Sequence, residues 1–393
     1  MSVADFLGRL FGCGARVVSC VPGFGASEVF SRWGEVRGEP WAWSLHEEVA
    51  WGRAQGCAVF GQPAVCLLKV HGLAKAANAV VCSLSMGVRA PLVALVFEDR
   101  LGRHSDNVLR AEPLLRGLEL PLVAPSCPSE LTPAWSQVWE GSLRSGLPWA
   151  LVLDSEWFAD LGEPVLLERQ VFSAMRFVPS PVEELVCPLF GEFQRARLEA
   201  RLKGSSVPES PALPRLENLP SRWAGDLKVF EPWMSWLQSQ GRAEFVAGDT
   251  GLSSLYGMSP HRLVDCVGWM GGSIPLAMGA LEGGAASAWA FCGDFAFASS
   301  GILGWLEAMR LGSAVQVFVF DNGKAAATGG QALGSLVPQL VSLGPCQIWQ
   351  VPGQPIKLSS QGMLHWLQMT HTFCGRSSSG HDGSINSVTA VDQ

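Results

Sequence analysis

Residues 288–323 read AWAFCGDFAFASSGILGWLEAMRLGSAVQVFVFDNG, and the fold follows from this stretch. It opens on an apolar run, residues 288–292, that ends in Gly293-Asp294. It closes on a second run, residues 315–320, that ends in Asp321-Asn322-Gly323. Between them Ile302, Trp305, Leu306 and Met309 stand at i, i+3, i+4 and i+7, with Gly312 as a stop. The spacing predicts a helix over 300–311 that crosses over between two parallel strands. Asp294 and Asn322 then stand at the carboxyl ends of adjacent strands, where open α/β sheets bind ligands. A carboxylate and an amide oxygen are hard donors of the kind Mg²⁺ prefers.

The same rhythm runs outward in both directions. Apolar runs rich in Val, Leu and Phe recur at 17–21, 64–68, 92–97 and 150–153, and again at 245–247 and 263–267, each followed by a turn former. Continuous rather than alternating apolar strands, separated by helical stretches, imply parallel sheets covered on both faces. The fold class is therefore α/β, with two domains, each a mostly parallel sheet flanked by helices. The expected boundaries are 1–165 for the first domain, 166–227 for a linker, 228–374 for the second domain and 375–393 for a flexible tail rich in Ser and Gly. Within the linker, the mixed-charge segment 194–203 reads as a short solvated helix, followed by a Ser/Pro run.

Composition narrows the function classes. Of 393 residues 48% are hydrophobic and only 16% charged, with a formal net charge of -7. An acidic chain without a basic run offers no electrostatic footprint to nucleic acid or to anionic membranes. No stretch is apolar for long enough to span a bilayer. The first helix carries Asp5 and Arg9 where a signal peptide is apolar, so the expected location is cytoplasmic. The 11 cysteines are scattered, with no C-x-x-C pair, and read as buried thiols of a reducing compartment.

Two further segments carry chemistry. Gly248-Asp249-Thr250-Gly251, after the 245–247 strand, offers backbone amides to a diphosphate. Trp43-Ser-Leu-His-Glu47-Glu-Val-Ala50 places a carboxylate at the start of a helix among apolar residues. The pairing of Gly293-Asp294 with Asp321-Asn322 resembles the motif of thiamine-diphosphate enzymes, which begins Gly-Asp-Gly and ends in Asn-Asn a helix and a strand later. Here Phe295 replaces the third glycine and Asp321 the first asparagine. The resemblance implies two thiamine-diphosphate-binding-fold domains, the front one pyrimidine-binding and the rear one binding diphosphate and Mg²⁺. It implies Asp294, Asn322 and the Lys324 carbonyl as metal ligands, and Glu47 as the acid that activates the cofactor through its pyrimidine ring. It also places Gly23, Gly248, Asp249, Thr250, Gly251, Met270, Gly271, Gly293, Phe295 and Thr328 at thiamine diphosphate. Met270-Gly271-Gly272-Ser273 is similar to the segment that holds the cofactor bent. In this family the halves that share a cofactor usually belong to different subunits, which implies a dimer.

Glutamate domain first and diphosphate domain second resembles two groups. The stretches 21–28, 43–50, 68–73, 102–105, 248–251 and 321–331 are most similar to the alpha subunit of indolepyruvate ferredoxin oxidoreductase. Gly72-Leu73 and Gly329-Gly-Gln331 are shared with sulfopyruvate and phosphonopyruvate decarboxylases. The oxidoreductase subunit carries a ferredoxin module of clustered cysteines that this sequence lacks. The implied activity is decarboxylation of an arylpyruvate-like 2-oxo acid to an enamine, with electrons passed to a partner. Implied partners are a second copy or a second oxidoreductase subunit. A non-oxidative decarboxylase or carboligase, and a non-catalytic assembly subunit, stand as alternatives. His71 is the candidate acid–base group near that centre, with His46 and His104 behind it.

Overall fold

The computed structural model describes residues 3–39, 41–163, 167–172, 177–218, 224–326, 329–333, 344–351 and 361–369; Thr328 and the 375–393 tail lie outside them. The front half holds five parallel strands: β1 (Val17–Cys20), β2 (Ala64–Lys69), β3 (Leu92–Glu98), β4 (Leu122–Val123) and β5 (Trp149–Asp154). Their order is β1-β2-β3-β5-β4. Because successive side chains point to opposite faces, Ala64, Cys66 and Leu68 pack under the Glu47–Phe60 helix. Val65 and Leu67 pack instead against the Val3–Gly12 and Ala26–Arg37 helices. Two apolar cores result, one on each face, which is why β2 and β3 are apolar almost throughout.

The rear half repeats the plan with β6 (Phe245–Gly248), β7 (Cys266–Val267), β8 (Ala288–Gly293) and β9 (Gln316–Asp321). A short antiparallel hairpin, β10 (Lys324–Ala325) and β11 (Gln331–Ala332), projects after β9. Like β4 and this hairpin, two more strands lie outside the expected set, β12 (Cys346–Val351) and β13 (Met363–Met369), and they complete a sheet in the order β12-β13-β9-β8-β6-β7. β8 and β9 pair in parallel, as the crossover spacing requires. The 263–267 run yields only a two-residue strand. Just before that strand, the Asp265 carboxylate accepts the Val246 amide at 2.8 Å.

The halves meet in one chain along two helices, Glu47–Phe60 and Ser273–Glu282. Gly56 lies on the Leu276 carbonyl and Gly279 on the Arg53 carbonyl, so close that neither position has room for a Cβ. Arg53 crosses this contact: its Nε lies 2.8 Å from Glu282 Oε1 and its Nη1 2.9 Å from Glu307 Oε1.

The linker is no solvated spacer. Its helix, Gly191–Lys203, buries Gln194, Arg197, Leu198 and Ala200. The Arg197 guanidinium donates to the Ser85 and Met86 carbonyls of the front half at 2.9 and 2.6 Å. A few residues earlier, the Val186 amide donates to the Val267 carbonyl at 3.2 Å, adding the linker to the rear sheet's edge. Buried Glu184 joins the two, accepting from Arg89 Nε at 2.7 Å and from the Ser180 amide at 2.8 Å.

Burial pushes the Glu184 carboxyl up to about 7, against the pull of Arg89. The folded chain thus holds a proton that the unfolded chain, with a carboxyl near its ordinary value of about 4.3, releases. This contribution to stability is complete below the ordinary carboxyl range and is lost as pH rises through about 7. Glu184→Gln is expected to flatten the fall in Tm across that window by roughly a few degrees, as read by calorimetry. An unchanged slope would remove Glu184 from the account.

Candidate active site

β8 ends at Gly293 and β9 at Asp321, so the two loops emerge side by side at one edge of the rear sheet. Asp294 opens the helical segment that follows β8. Its buried carboxylate accepts the Phe295 amide at 2.8 Å and the Gly323 amide at 2.9 Å. The second bond reaches across to the turn that contains Asn322. There Asn322 Oδ1 accepts the Lys324 amide at 3.2 Å. Asp294, distant in sequence, is therefore brought onto the turn that holds Asn322 and Lys324.

Asp321 adds a residue that the motif reading left without a role. Its carboxylate accepts the Gly323 amide at 3.0 Å and the Trp366 indole at 2.7 Å, and it faces Asp294. Burial and this neighbouring carboxylate push the Asp294 carboxyl up to about 7. Two carboxylates this close disfavour joint ionisation unless a proton or a cation lies between them. Among the described residues no three His, Cys, Asp or Glu side chains cluster as a metal centre. The donors here are instead carboxylate, amide and carbonyl oxygens, which fit Mg²⁺ when phosphate oxygens complete its octahedron. Gly293, Gly323 and Gly251 have no atoms within 4 Å of where a Cβ would stand, so the rear site keeps open space beside its backbone. Phe295 is half exposed and contributes its amide to Asp294 rather than its ring to a core.

The Gly248–Gly251 loop departs from the expected row of free amides. The Asp249 amide already donates to the Phe291 carbonyl at 2.9 Å and to Ser253 Oγ at 3.1 Å. Gly248 lies against the Val264 and Val267 side chains. The Asp249 carboxylate turns inward and accepts the Gly271 and Ser273 amides at 2.8 and 2.7 Å. Asp249 is thus a brace between two loops; exposed Thr250 and Gly251, at a φ of 95°, form the loop's outer edge. Gly271 is required for packing, since Ser300 occupies the place of any Cβ, while Ser300 Oγ donates to the Met270 carbonyl at 2.5 Å. Sequence spacing alone did not reveal these contacts.

In the front half Glu47 opens its helix, 9% exposed, with His46 as the cap accepting the Glu48 amide at 3.3 Å. Lys75 Nζ lies 2.7 Å from Glu47 Oε2, yet at an angle that leaves this buried oxygen without a hydrogen bond. Gly72 packs on the Glu47 side-chain stem. Glu48 points elsewhere, toward the Trp269 indole, and Gly52 one turn on packs against Trp269 and Pro275, so the Glu47 helix lies against the Trp269–Met270 turn of the rear half. Burial, assisted by Lys75, holds the His46 imidazole below its usual range.

His71 and His104 lie at the carboxyl ends of the front strands. His71 Nε2 lies 2.5 Å from Asn107 Oδ1, and the His104 ring stacks on Phe24 at 3.8 Å. Lys69 Nζ donates to the His104 carbonyl and to Ser105 Oγ at 2.9 and 2.6 Å. Gly23 lies under the Lys69 stem, so its lack of a side chain serves packing.

Residues 249–342 match the family described as thiamine pyrophosphate enzyme, C-terminal TPP binding domain. No curated protein matches the sequence. Among solved structures, the chain is similar to the thiamine diphosphate-dependent 4-hydroxybenzoylformate decarboxylase of Rhodococcus jostii at a TM-score of 0.64 and 14% identity, covering 94% of this chain and 99% of that one. It is also similar to a thiamin diphosphate-dependent enzyme from Mycobacterium smegmatis, at a TM-score of 0.57 and 13% identity, over 94% of this chain and 99% of that one. The chain thus has the α/β fold of thiamine-diphosphate-dependent enzymes, and its rear half carries a stretch matching their C-terminal cofactor-binding domain.

Proposed function

We propose that this chain is a thiamine-diphosphate- and Mg²⁺-dependent enzyme that removes carbon dioxide from a 2-oxo acid. One observation carries the reading. A buried carboxylate, Asp294, is hydrogen-bonded onto the turn that holds Asn322 and Lys324, at the carboxyl ends of adjacent parallel strands. In the proposed site Asp294, Asn322 and the Lys324 carbonyl hold the metal, and the open backbone at Gly251 and Gly293 leaves space for the diphosphate. Glu47, with one buried oxygen short of a hydrogen bond, holds a proton at the pyrimidine nitrogen. When bound, thiamine diphosphate would supply a carbon nucleophile and a sink for the electron pair left behind as carbon dioxide departs. His71, braced by Asn107, serves as the group that handles protons near the substrate.

The substrate class we propose is an aromatic 2-oxo acid, in keeping with the named decarboxylase and with the Phe24–His104 stack at the front strands' ends. Non-oxidative release of an aldehyde is the favoured fate. The sequence likeness of 321–331 to the oxidoreductase alpha subunit supports a second reading, in which electrons pass to a partner subunit. Purified chain with thiamine diphosphate, Mg²⁺ and a panel of 2-oxo acids separates them. Aldehyde without an acceptor is the expected result; acceptor reduction that needs coenzyme A and a partner establishes the other. A chain that takes up no thiamine diphosphate at all is neither enzyme.

A further inference from the structure

Three consecutive residues just ahead of Glu47 are gripped by one helix of the opposite half. The Arg310 guanidinium donates to the Trp43 carbonyl. Glu307 Oε1 accepts the Ser44 hydroxyl at 2.7 Å, and Oε2 accepts the Leu45 amide at 2.8 Å. Arg53, on the helix that Glu47 opens, donates to the same Oε1 at 2.9 Å and to Ser44 Oγ at 2.8 Å. Glu307 is fully buried and uses both oxygens on this segment. It sits on the Ile302–Arg310 helix, the end of the crossover that begins at Asp294. The unit that carries the proposed metal ligand at one end thus holds, at its other end, the approach to the proposed activating acid.

We propose that Glu307 is a positioning residue that fixes Glu47 relative to the Asp294 loop. The inference rests on the cofactor role proposed for Glu47. Among the described residues, Glu307 and Arg310 are the rear-half groups bonded to this approach. The Leu45 side chain is 62% exposed, and the Ser44 amide is bonded within the front half, to the Cys20 carbonyl. A carboxylate accepts on both oxygens, whereas a glutamine offers one acceptor and one donor. Glu307→Gln therefore sets an N–H against either the Leu45 amide or the Ser44–Arg53 pair. Arg53 keeps its bidentate partner Glu282 in that variant, so the contact between the halves survives.

The test uses the full chain, first without cofactor, as wild type, Glu307→Gln and the milder Ser44→Ala. Amide hydrogen exchange over residues 44–50 is expected to quicken roughly tenfold or more in Glu307→Gln, with β3 and β8 unchanged. Unchanged protection over 44–50, or a rise spread evenly through both sheets, overturns the clamp. In the second arm, with thiamine diphosphate and Mg²⁺, exchange of the thiazolium C2 proton into deuterated water is followed by NMR. Glu307→Gln is expected to slow it, and to add nothing in a chain already carrying Glu47→Gln. Losses that simply add overturn the positioning role. A wild-type chain that binds no thiamine diphosphate overturns the cofactor reading and the catalytic purpose of the clamp, while the first arm still decides whether the clamp exists.

Discussion

Glu47→Gln is expected to lower turnover by roughly a hundredfold to ten-thousandfold, the range set by removing a positioned acid–base group. The substitution keeps the shape of the side chain, so the packing of Gly72 on its stem is preserved. What it loses in the folded chain is the ion pair with Lys75, whose side chain is 57% exposed. With one partner this exposed, solvent screens the pair and it contributes about 1 kcal/mol or less. Tm should therefore hardly move while kcat collapses. Measured together, the two quantities separate a chemical role from a structural one, and unchanged turnover refutes the assignment. Lys75→Ala makes the matching control, because the same carboxylate then stands without its cation.

The second large effect is expected at Asp294. Bound ligand at a hundred times its dissociation constant stabilises a fold by about 2.7 kcal/mol, which is several degrees of Tm in a chain of this size. Wild type should gain such a shift from thiamine diphosphate with Mg²⁺, and Asp294→Asn should lose it. Without ligand the variant is expected to melt close to wild type, for two opposing reasons. Asparagine gives up one of the two amide bonds from Phe295 and Gly323. It also removes a charge that burial and Asp321 disfavour. A full ligand-induced shift in Asp294→Asn would exclude this carboxylate from metal binding. A large loss of stability in the unliganded variant would make it a structural residue instead.

Sequence reading reached the parallel strands because buried strands are apolar on both faces and say so without ambiguity. It reached the Asp294–Asn322 pairing because a crossover helix fixes how far apart two strand ends stand in sequence. It did not find β12 and β13, whose apolar runs are broken by Gln347, Gln350 and His365. The reason lies in side-chain pairing: His365 Nε2 meets Gln316 Oε1 at 2.9 Å inside the sheet, so polar residues sit where the pattern demands apolar ones. The linker helix was misread for a related reason. Arg197 is buried through bonds to the carbonyls of Ser85 and Met86, and such use of a charged residue has no periodic signature.

The candidate site divides in the same way. The residue types of the proposed metal site stand out in the sequence, since few side chains suit a hard cation. The direction each side chain takes was not. Asp249 looked like part of an amide-lined loop, and only the three-dimensional arrangement turns its carboxylate onto Gly271 and Ser273. The crossover helix, expected over 300–311, is preceded in the structure by helical turns from Asp294 that include a π segment at Phe297–Gly301, a device that often accompanies functional sites. It brings Ser300 onto the Met270 carbonyl, tying the Asp294 helix to the turn beside Trp269.

Where Gly56 meets Leu276 and Gly279 meets Arg53, backbone touches backbone with no side chain between. A single methyl group at either glycine would act as a wedge, prying the lobes apart along the very seam that carries Arg53. Hinge-like gaping along this line would strip two glutamates from one guanidinium, one of them, Glu307, fully buried.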